Sequence, residues 1–121
     1  MFTVRKEFKF EASHILPHHD GKCQRLHGHS WKMFVEVMGR QLQDEGPKRG
    51  MVLDFSSLKE IVNPLVEEKL DHYHLNDTTG LENPTSEALC KWVFDQIKPH
   101  LEFITAVSIE ETCTSWAEYR P

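Results

Sequence analysis

Between Phe2 and His14 the chain alternates. Phe2, Val4, Phe8, Phe10 and Ala12 share one parity; Thr3, Arg5, Glu7, Lys9 and Glu11 share the other. A two-residue period is the mark of a strand with one buried face. His14 has the parity of the apolar side. Pro17 and Gly21 punctuate a loop from Leu16 to Leu26, and alternation then resumes. His27, His29, Trp31, Met33, Val35 and Val37 point one way. Ser30, Lys32 and Glu36 point the other, with Phe34 and Met38 as exceptions. This predicts a second strand, paired antiparallel with the first.

The run QDEGPKRG is rich in breakers and reads as a turn or short excursion. Met51 to Phe55 leads into a helix, with Asp54, Ser56 or Ser57 as its cap and capping-box spacing from Ser57 to Glu60. Leu58, Ile61, Val62, Leu65, Val66 and Lys69 trace one helical face, which Pro64 should bend or interrupt. Asp71 to Pro84 is polar and rich in turn formers, so it is expected to be a long loop. A second helix is expected from Asn83, Pro84 or Thr85 up to Pro99. Its apolar stripe is Leu89, Cys90, Trp92, Val93 and Ile97. Phe103 to Cys113 reads as a strand with Phe103, Val107 and Ile109 on one face, and a short last strand holds Trp116 and Tyr119. The order strand, strand, helix, helix, strand, strand predicts one α+β domain over residues 1–121. Its antiparallel sheet would carry two helices on one face. The open sheet edges call for covering, which pairing of subunits supplies.

Composition narrows the function. A formal charge of −5, from 19 acidic and 14 basic residues, argues against a nucleic-acid binder. The three cysteines, Cys23, Cys90 and Cys113, are odd in number, widely spaced and without a CxxC pair. That suits a reducing compartment better than a disulfide framework. The opening MFTVRKEFKF carries charges inside its apolar pattern, unlike a signal peptide or a membrane span. The expected location is the cytoplasm.

Eight histidines in 121 residues ask for a reason. His27 and His29 lie two apart on a strand, so both imidazoles face one side. His14 ends the neighbouring strand with the same inward parity. Three converging imidazoles match a catalytic zinc centre with one position left open. Zn2+ is the expected ion, although imidazole also suits iron, nickel or copper. Gly28 adds no side chain to crowd ion or substrate. His18 and His19 lie in the loop and are weaker ligand candidates.

Cys23, four residues before His27, is a candidate fourth ligand, base or nucleophile, or an idle thiol. Asp71 and His72 are an adjacent carboxylate and imidazole at a helix exit, suited to proton transfer or to simple capping. Glu111 shares the parity of Val107 and Ile109, so it faces the apolar side. A carboxylate there needs a partner, and paired N–H groups of a ligand would satisfy both oxygens.

Taken together, HxxxxxxxxCxxxHGH from His14 to His29, LDHYHLND from Leu70 to Asp77, LENPTSE from Leu81 to Glu87 and EETCT from Glu110 to Thr114 resemble the 6-pyruvoyltetrahydropterin synthase superfamily. The three-residue gap from Cys23 to HGH, with ETCT near the end, is most similar to its 6-carboxytetrahydropterin synthase branch. The resemblance covers nearly the whole chain. It implies the tunnelling fold, assembled commonly as a homohexamer with active sites between subunits. It implies His14, His27 and His29 as zinc ligands, Cys23 as the catalytic cysteine and Asp71 with His72 as the acid–base pair. It implies Glu111 as pterin anchor, with Thr85 and Ser86 lining the pterin pocket. The implied substrate is a pterin triphosphate, 7,8-dihydroneopterin triphosphate. The implied products are 6-carboxy-5,6,7,8-tetrahydropterin, acetaldehyde and triphosphate, within queuosine and 7-deazaguanine synthesis. Lys22, Arg25 and Lys32 are candidates to meet the triphosphate. Tyr73 departs from relatives that carry a second histidine directly after the first. The competing readings are pyruvoyl-type triphosphate elimination on the same substrate and a non-catalytic zinc- or pterin-binding oligomer.

Overall fold

The two alternating segments become the longest strands of a computed structural model that describes residues 1–121. β1 (Phe2–His14) and β2 (His27–Gly39) pair antiparallel along their whole length, from Phe2 opposite Gly39 to His14 opposite His27. α1 (Phe55–Leu65) follows, then β3 (Tyr73–His74), α2 (Leu75–Thr79), α3 (Ser86–Ile97), β4 (Ile104–Thr112) and β5 (Ser115–Tyr119). The sheet order is β3-β1-β2-β4-β5. All pairings are antiparallel except the short β1–β3 contact, where Ala12 meets Tyr73 and Ser13 meets His74. The α+β architecture is the one the pattern predicts, with a two-residue parallel edge added.

One face of the sheet packs against the helices. Phe8, Phe10, Trp31, Met33, Val35, Val37, Val107 and Ile109 meet Leu58, Val62, Leu89, Val93 and Ile97 in a single core. Each fully buried aliphatic side chain there is worth about 1.5–3 kcal/mol against exposure. No helix is long and apolar enough to cross a membrane.

Asp54 caps α1 by accepting from Ser56 N–H at 2.8 Å, and it also pairs with Lys48. Of the three capping candidates, the structure uses Asp54. Pro64 does not end the helix. α1 continues past it and widens into a π-turn over Val66–Leu70, closed where Asp71 N–H donates to Val66 C=O at 2.8 Å. A π-turn holds one more residue per turn than an α-helix. Here it delivers Leu70 to the core and turns the chain out at Asp71.

Two expectations are corrected. Asp71 to Pro84 is not a featureless loop, because it contains β3 and α2. Leu75 is fully buried in the core, and Gly80 ends α2 in the left-handed conformation, φ 73°. In β4, Phe103 does not join the face of Val107 and Ile109; it precedes the strand and is exposed. Glu36 pairs with Ala106 but Val37 pairs with Ile104, so Thr105 is an extra residue in a bulge. The bulge reverses the parity and turns Ile104 inward in place of Phe103.

Candidate metal centre

The inner faces of β1 and β2 run from hydrophobic core to histidine without a break. Past Ala12 comes His14, and past Trp31 come His29 and His27. Strand alternation alone places all three rings on that side. The β1–β2 register sets His14 beside His27. His14 is fully buried; His27 and His29 are partly exposed. Trp31 closes the core side, edge-on to His14 at 5.0 Å and to His29 at 5.1 Å between ring centres. Its indole N–H donates to Ala12 C=O at 3.1 Å, which locks the ring.

Two backbone carbonyls orient the rings. His14 Nδ1 lies 2.9 Å from Pro84 C=O, and His27 Nδ1 lies 2.7 Å from Arg25 C=O. A carbonyl only accepts, so each Nδ1 carries the proton and each Nε2 keeps its lone pair. The Nε2 atoms of His14, His27 and His29 are all buried and all lack a hydrogen-bond partner. Leaving three such atoms unsatisfied is costly unless something binds them. They lie with a carboxylate oxygen of Glu111 inside a group whose ligand atoms are all within 4.8 Å of one another. That donor set fits a divalent cation, and an imidazole whose other nitrogen donates to a backbone carbonyl is usual in such sites. Burial holds His14 and His29 below the ordinary histidine pKa, which keeps the rings neutral and able to donate to a metal.

Glu111 reaches this centre from β4, with the inward parity the sequence predicts. Its Oε1 stands 2.7 Å from His29 Nε2 and 3.4 Å from His14 Nε2, without the alignment of a hydrogen bond. Ser86, at the first turn of α3, donates to Oε2 at 3.3 Å. Thr85 caps α3, its hydroxyl accepting from Ala88 N–H at 3.1 Å. The structure thus brings Ser86 to the centre and uses the Thr85 hydroxyl in the helix cap.

Cys23 sits on a short 3-10 turn, Lys22–Gln24, partly exposed and outside the four-residue group. His18 and His19 are engaged elsewhere. His18 pairs with Glu82 at 2.9 Å, and His19 Nδ1 accepts from Gly21 N–H at 2.8 Å. Gly28 is not needed to make room for an ion. It points to the opposite face, where an added Cβ would make ordinary contacts with Ala12 C=O at 3.4 Å and Ser13 Cα at 4.0 Å.

Asp71 and His72 do not join the three histidines. They finish the outer edge of β1. Asp71 Oδ1 accepts from Glu11 N–H at 2.9 Å, and His72 N–H donates to Glu11 C=O at 2.6 Å. The remaining Asp71 oxygen lies 3.0 Å from His72 Nδ1. The Glu11 N–H, with His72 beside it, holds the Asp71 carboxyl below its usual range. His72 is in the left-handed region, φ 66°, and its ring is exposed. A non-glycine residue held there marks a position the surroundings over-determine. With Glu11, Ser13, His29, Ser30 and His74, His72 lines an open groove of about 480 Å³.

A family model described as 6-pyruvoyl tetrahydropterin synthase matches residues 3–121. The chain is 51% identical over 120 residues to a 6-carboxy-5,6,7,8-tetrahydropterin synthase of Synechocystis sp., covering 98% of this chain and 93% of that protein. It is 35% identical over 141 residues to the Haemophilus influenzae protein of the same name, covering 99% of both. Its fold matches that of Caenorhabditis elegans 6-pyruvoyl tetrahydropterin synthase with a TM-score of 0.85 at 25% identity, over 99% of this chain and 95% of that one. With the match running through the strands that bear the three histidines and on to β5, this chain belongs to the 6-pyruvoyl tetrahydropterin synthase family.

Proposed function

We propose that this chain is a zinc-dependent carbon–carbon lyase of the 6-carboxytetrahydropterin synthase type. It takes 7,8-dihydroneopterin triphosphate and water to 6-carboxy-5,6,7,8-tetrahydropterin, acetaldehyde and triphosphate, a step toward 7-deazaguanines such as queuosine. The observation that carries the reading is the set of three buried, partnerless Nε2 atoms on His14, His27 and His29. The 51% identity to a relative of that name supports the choice of branch. The free thiols suit a cytoplasmic location.

His14, His27 and His29 would hold Zn2+, which supplies Lewis acidity toward the substrate's side-chain oxygens. Glu111 is the anchor for the pterin N–H groups. Ser86 steadies one of its oxygens without exhausting its lone pairs, so both oxygens remain able to accept from the bound ring. Thr85 and Ser86 begin α3 at the same wall, so the pterin rests against a helix start. Cys23, on the turn that leads into His27, removes a proton from the substrate side chain as thiolate. Asp71 orients His72, so that His72 exchanges a proton on another face of the substrate.

The acid–base pair lies along the β1 edge, outside its own chain's metal-ligand group, while β5 forms the other edge of the sheet. Joining such edges in a ring would carry Asp71 and His72 of one subunit to the metal centre of the next. A homohexamer of this kind covers both edges and completes each site.

The test is product analysis. Metal-loaded protein incubated with dihydroneopterin triphosphate is expected to release acetaldehyde and the 6-carboxy product in equal amounts. Triphosphate release with the carbon chain intact would convert the assignment to pyruvoyl-type elimination. A metal-bound protein that turns nothing over would leave the non-catalytic oligomer.

A further inference from the structure

We propose that Asn76 is a positioning residue for the metal centre, fixing the His14 ring through the backbone on both sides of its hydrogen bond. The inference rests on the metal-site reading above. Asn76 is the second residue of α2, in the segment whose sequence looks like loop. Its side-chain amide makes three contacts. Oδ1 accepts from Ile15 N–H at 2.9 Å; Nδ2 donates to Ile15 C=O at 2.8 Å and to Glu82 C=O at 3.2 Å. One donor faces Oδ1 and two carbonyls face Nδ2, so the amide fits in only one orientation.

The arrangement continues the sheet by side chain. β3 pairs with β1 at Ala12 and Ser13, and the backbone of β3 then ends in α2. The Asn76 amide takes up both the N–H and the C=O of Ile15, as a strand neighbour would. Ile15 directly follows His14. Glu82 lies two residues before Pro84, whose carbonyl accepts the His14 Nδ1 proton at 2.9 Å. A single amide therefore holds the backbone that carries the ring and the backbone that carries the ring's acceptor. His14 is the fully buried member of the three, so its Nε2 direction is set by these anchors and not by solvent. The same amide fixes the start of the Cys23 loop, because Leu16 N–H donates to Cys23 C=O at 2.9 Å.

Loosening the hydrogen-bond partner of a metal-bound histidine lowers affinity by roughly 10- to 100-fold, and Asn76 acts one step further out. Asn76→Ala removes all three contacts. Asn76→Asp keeps the acceptor for Ile15 N–H, loses both donors, and serves if the alanine variant fails to fold. Thr78→Ala is the control. It frees α2 from the Lys69 carbonyl, to which the Thr78 hydroxyl donates at 2.6 Å, without touching Ile15 or Glu82. The full-length proteins are stripped of metal and titrated with zinc against a chromophoric chelator; the visible spectrum of bound Co2+ reports ligand geometry. Both Asn76 variants are expected to bind zinc about tenfold more weakly and to shift the Co2+ spectrum. Thr78→Ala should match wild type in both, whatever it loses in Tm. Wild-type affinity and spectrum in the Asn76 variants would overturn the inference and leave the metal site standing. Wild-type protein that binds zinc no better than a His27→Ala/His29→Ala variant would remove the metal site itself, and the role of Asn76 with it.

Discussion

Glu36 offers the sharpest quantitative test of how the sheet that carries the site is held. It lies on the face away from the helices yet is 3% exposed. Arg120 reaches its two oxygens at 2.7 and 3.1 Å, Arg5 adds a contact at 3.1 Å, and the hydroxyl of the bulged Thr105 donates at 2.8 Å. Burial pushes the carboxyl up, but the hydrogen bonds from Arg120, Thr105 and Arg5 outweigh it and bring the pKa to about 2 from 4.5. At ~1.4 kcal/mol per pH unit that gap corresponds to about 3 kcal/mol. The arginine side chains are 48% and 41% exposed, so solvent screening trims the figure to about 2 kcal/mol. The folded pKa is depressed. The contribution is therefore complete above pH 4.5 and is lost as pH falls from 4.5 toward 2. Glu36→Gln keeps the shape and cannot ionise, and the half-exposed arginines regain water. In urea unfolding of the metal-free proteins at fixed protein concentration, wild type should exceed the variant by about 2 kcal/mol at pH 7. The difference should fall to roughly half or less of that value at pH 3. Taking the difference cancels carboxylates common to both proteins. A difference that stays constant from pH 7 to 3, or a variant as stable as wild type at pH 7, would refute the reasoning.

Three further outcomes bear on the site. Cys23→Ala should retain bound zinc, measured by metal analysis, and lose turnover by at least about 100-fold; loss of the metal instead would make Cys23 a ligand. Glu111→Gln should leave zinc affinity near wild type while raising the dissociation constant for a pterin by about tenfold or more, read by equilibrium titration. Co-refolding inactive Cys23→Ala with inactive His72→Ala chains should restore about a quarter of wild-type activity, the random share of sites with both groups intact when they come from different subunits. No recovery from mixed oligomers would place the two groups in one chain's site.

The strands that build the centre are legible because their pattern is strict. A two-residue period put His14, His27 and His29 on one face, and the same rule placed Glu111 inward from Val107 and Ile109. What was illegible depends on partners far away in the chain. Glu36 reads as an outward polar residue, and nothing local announces that Arg5 and Arg120 will close over it. The parity of Phe103 failed because a bulge at Thr105 is settled by pairing with β2, not by β4's own pattern. β3 and α2 were missed because they are two and five residues long, below the span over which a period can be counted. Their single apolar anchor, Leu75, matters only through its packing in the core. Asn76 falls inside the LDHYHLND run that carries the resemblance, but the run does not say which backbone groups its amide meets.

Glu111 decides what kind of centre this is. A structural zinc site is closed by four protein ligands, and a catalytic one keeps a position open. Glu111 stands close enough to the histidines to supply the fourth ligand, but its two oxygens are not equivalent: Oε2 is tied to Ser86 at the start of α3, and Oε1 alone faces the rings. A ligand bearing two adjacent N–H groups can engage both oxygens without displacing the Ser86 contact, because Oε2 keeps a second lone pair. The side chain is also 28% exposed on a wall open to solvent, unlike His14, so it can turn when an organic ring arrives. Three neutral imidazoles bring no charge to balance a divalent ion, which leaves the ion strongly attractive to substrate oxygens. A carboxylate bound permanently beside them would blunt that pull. The arrangement therefore favours Glu111 as the residue that holds the substrate over the metal, with the fourth position left for the substrate.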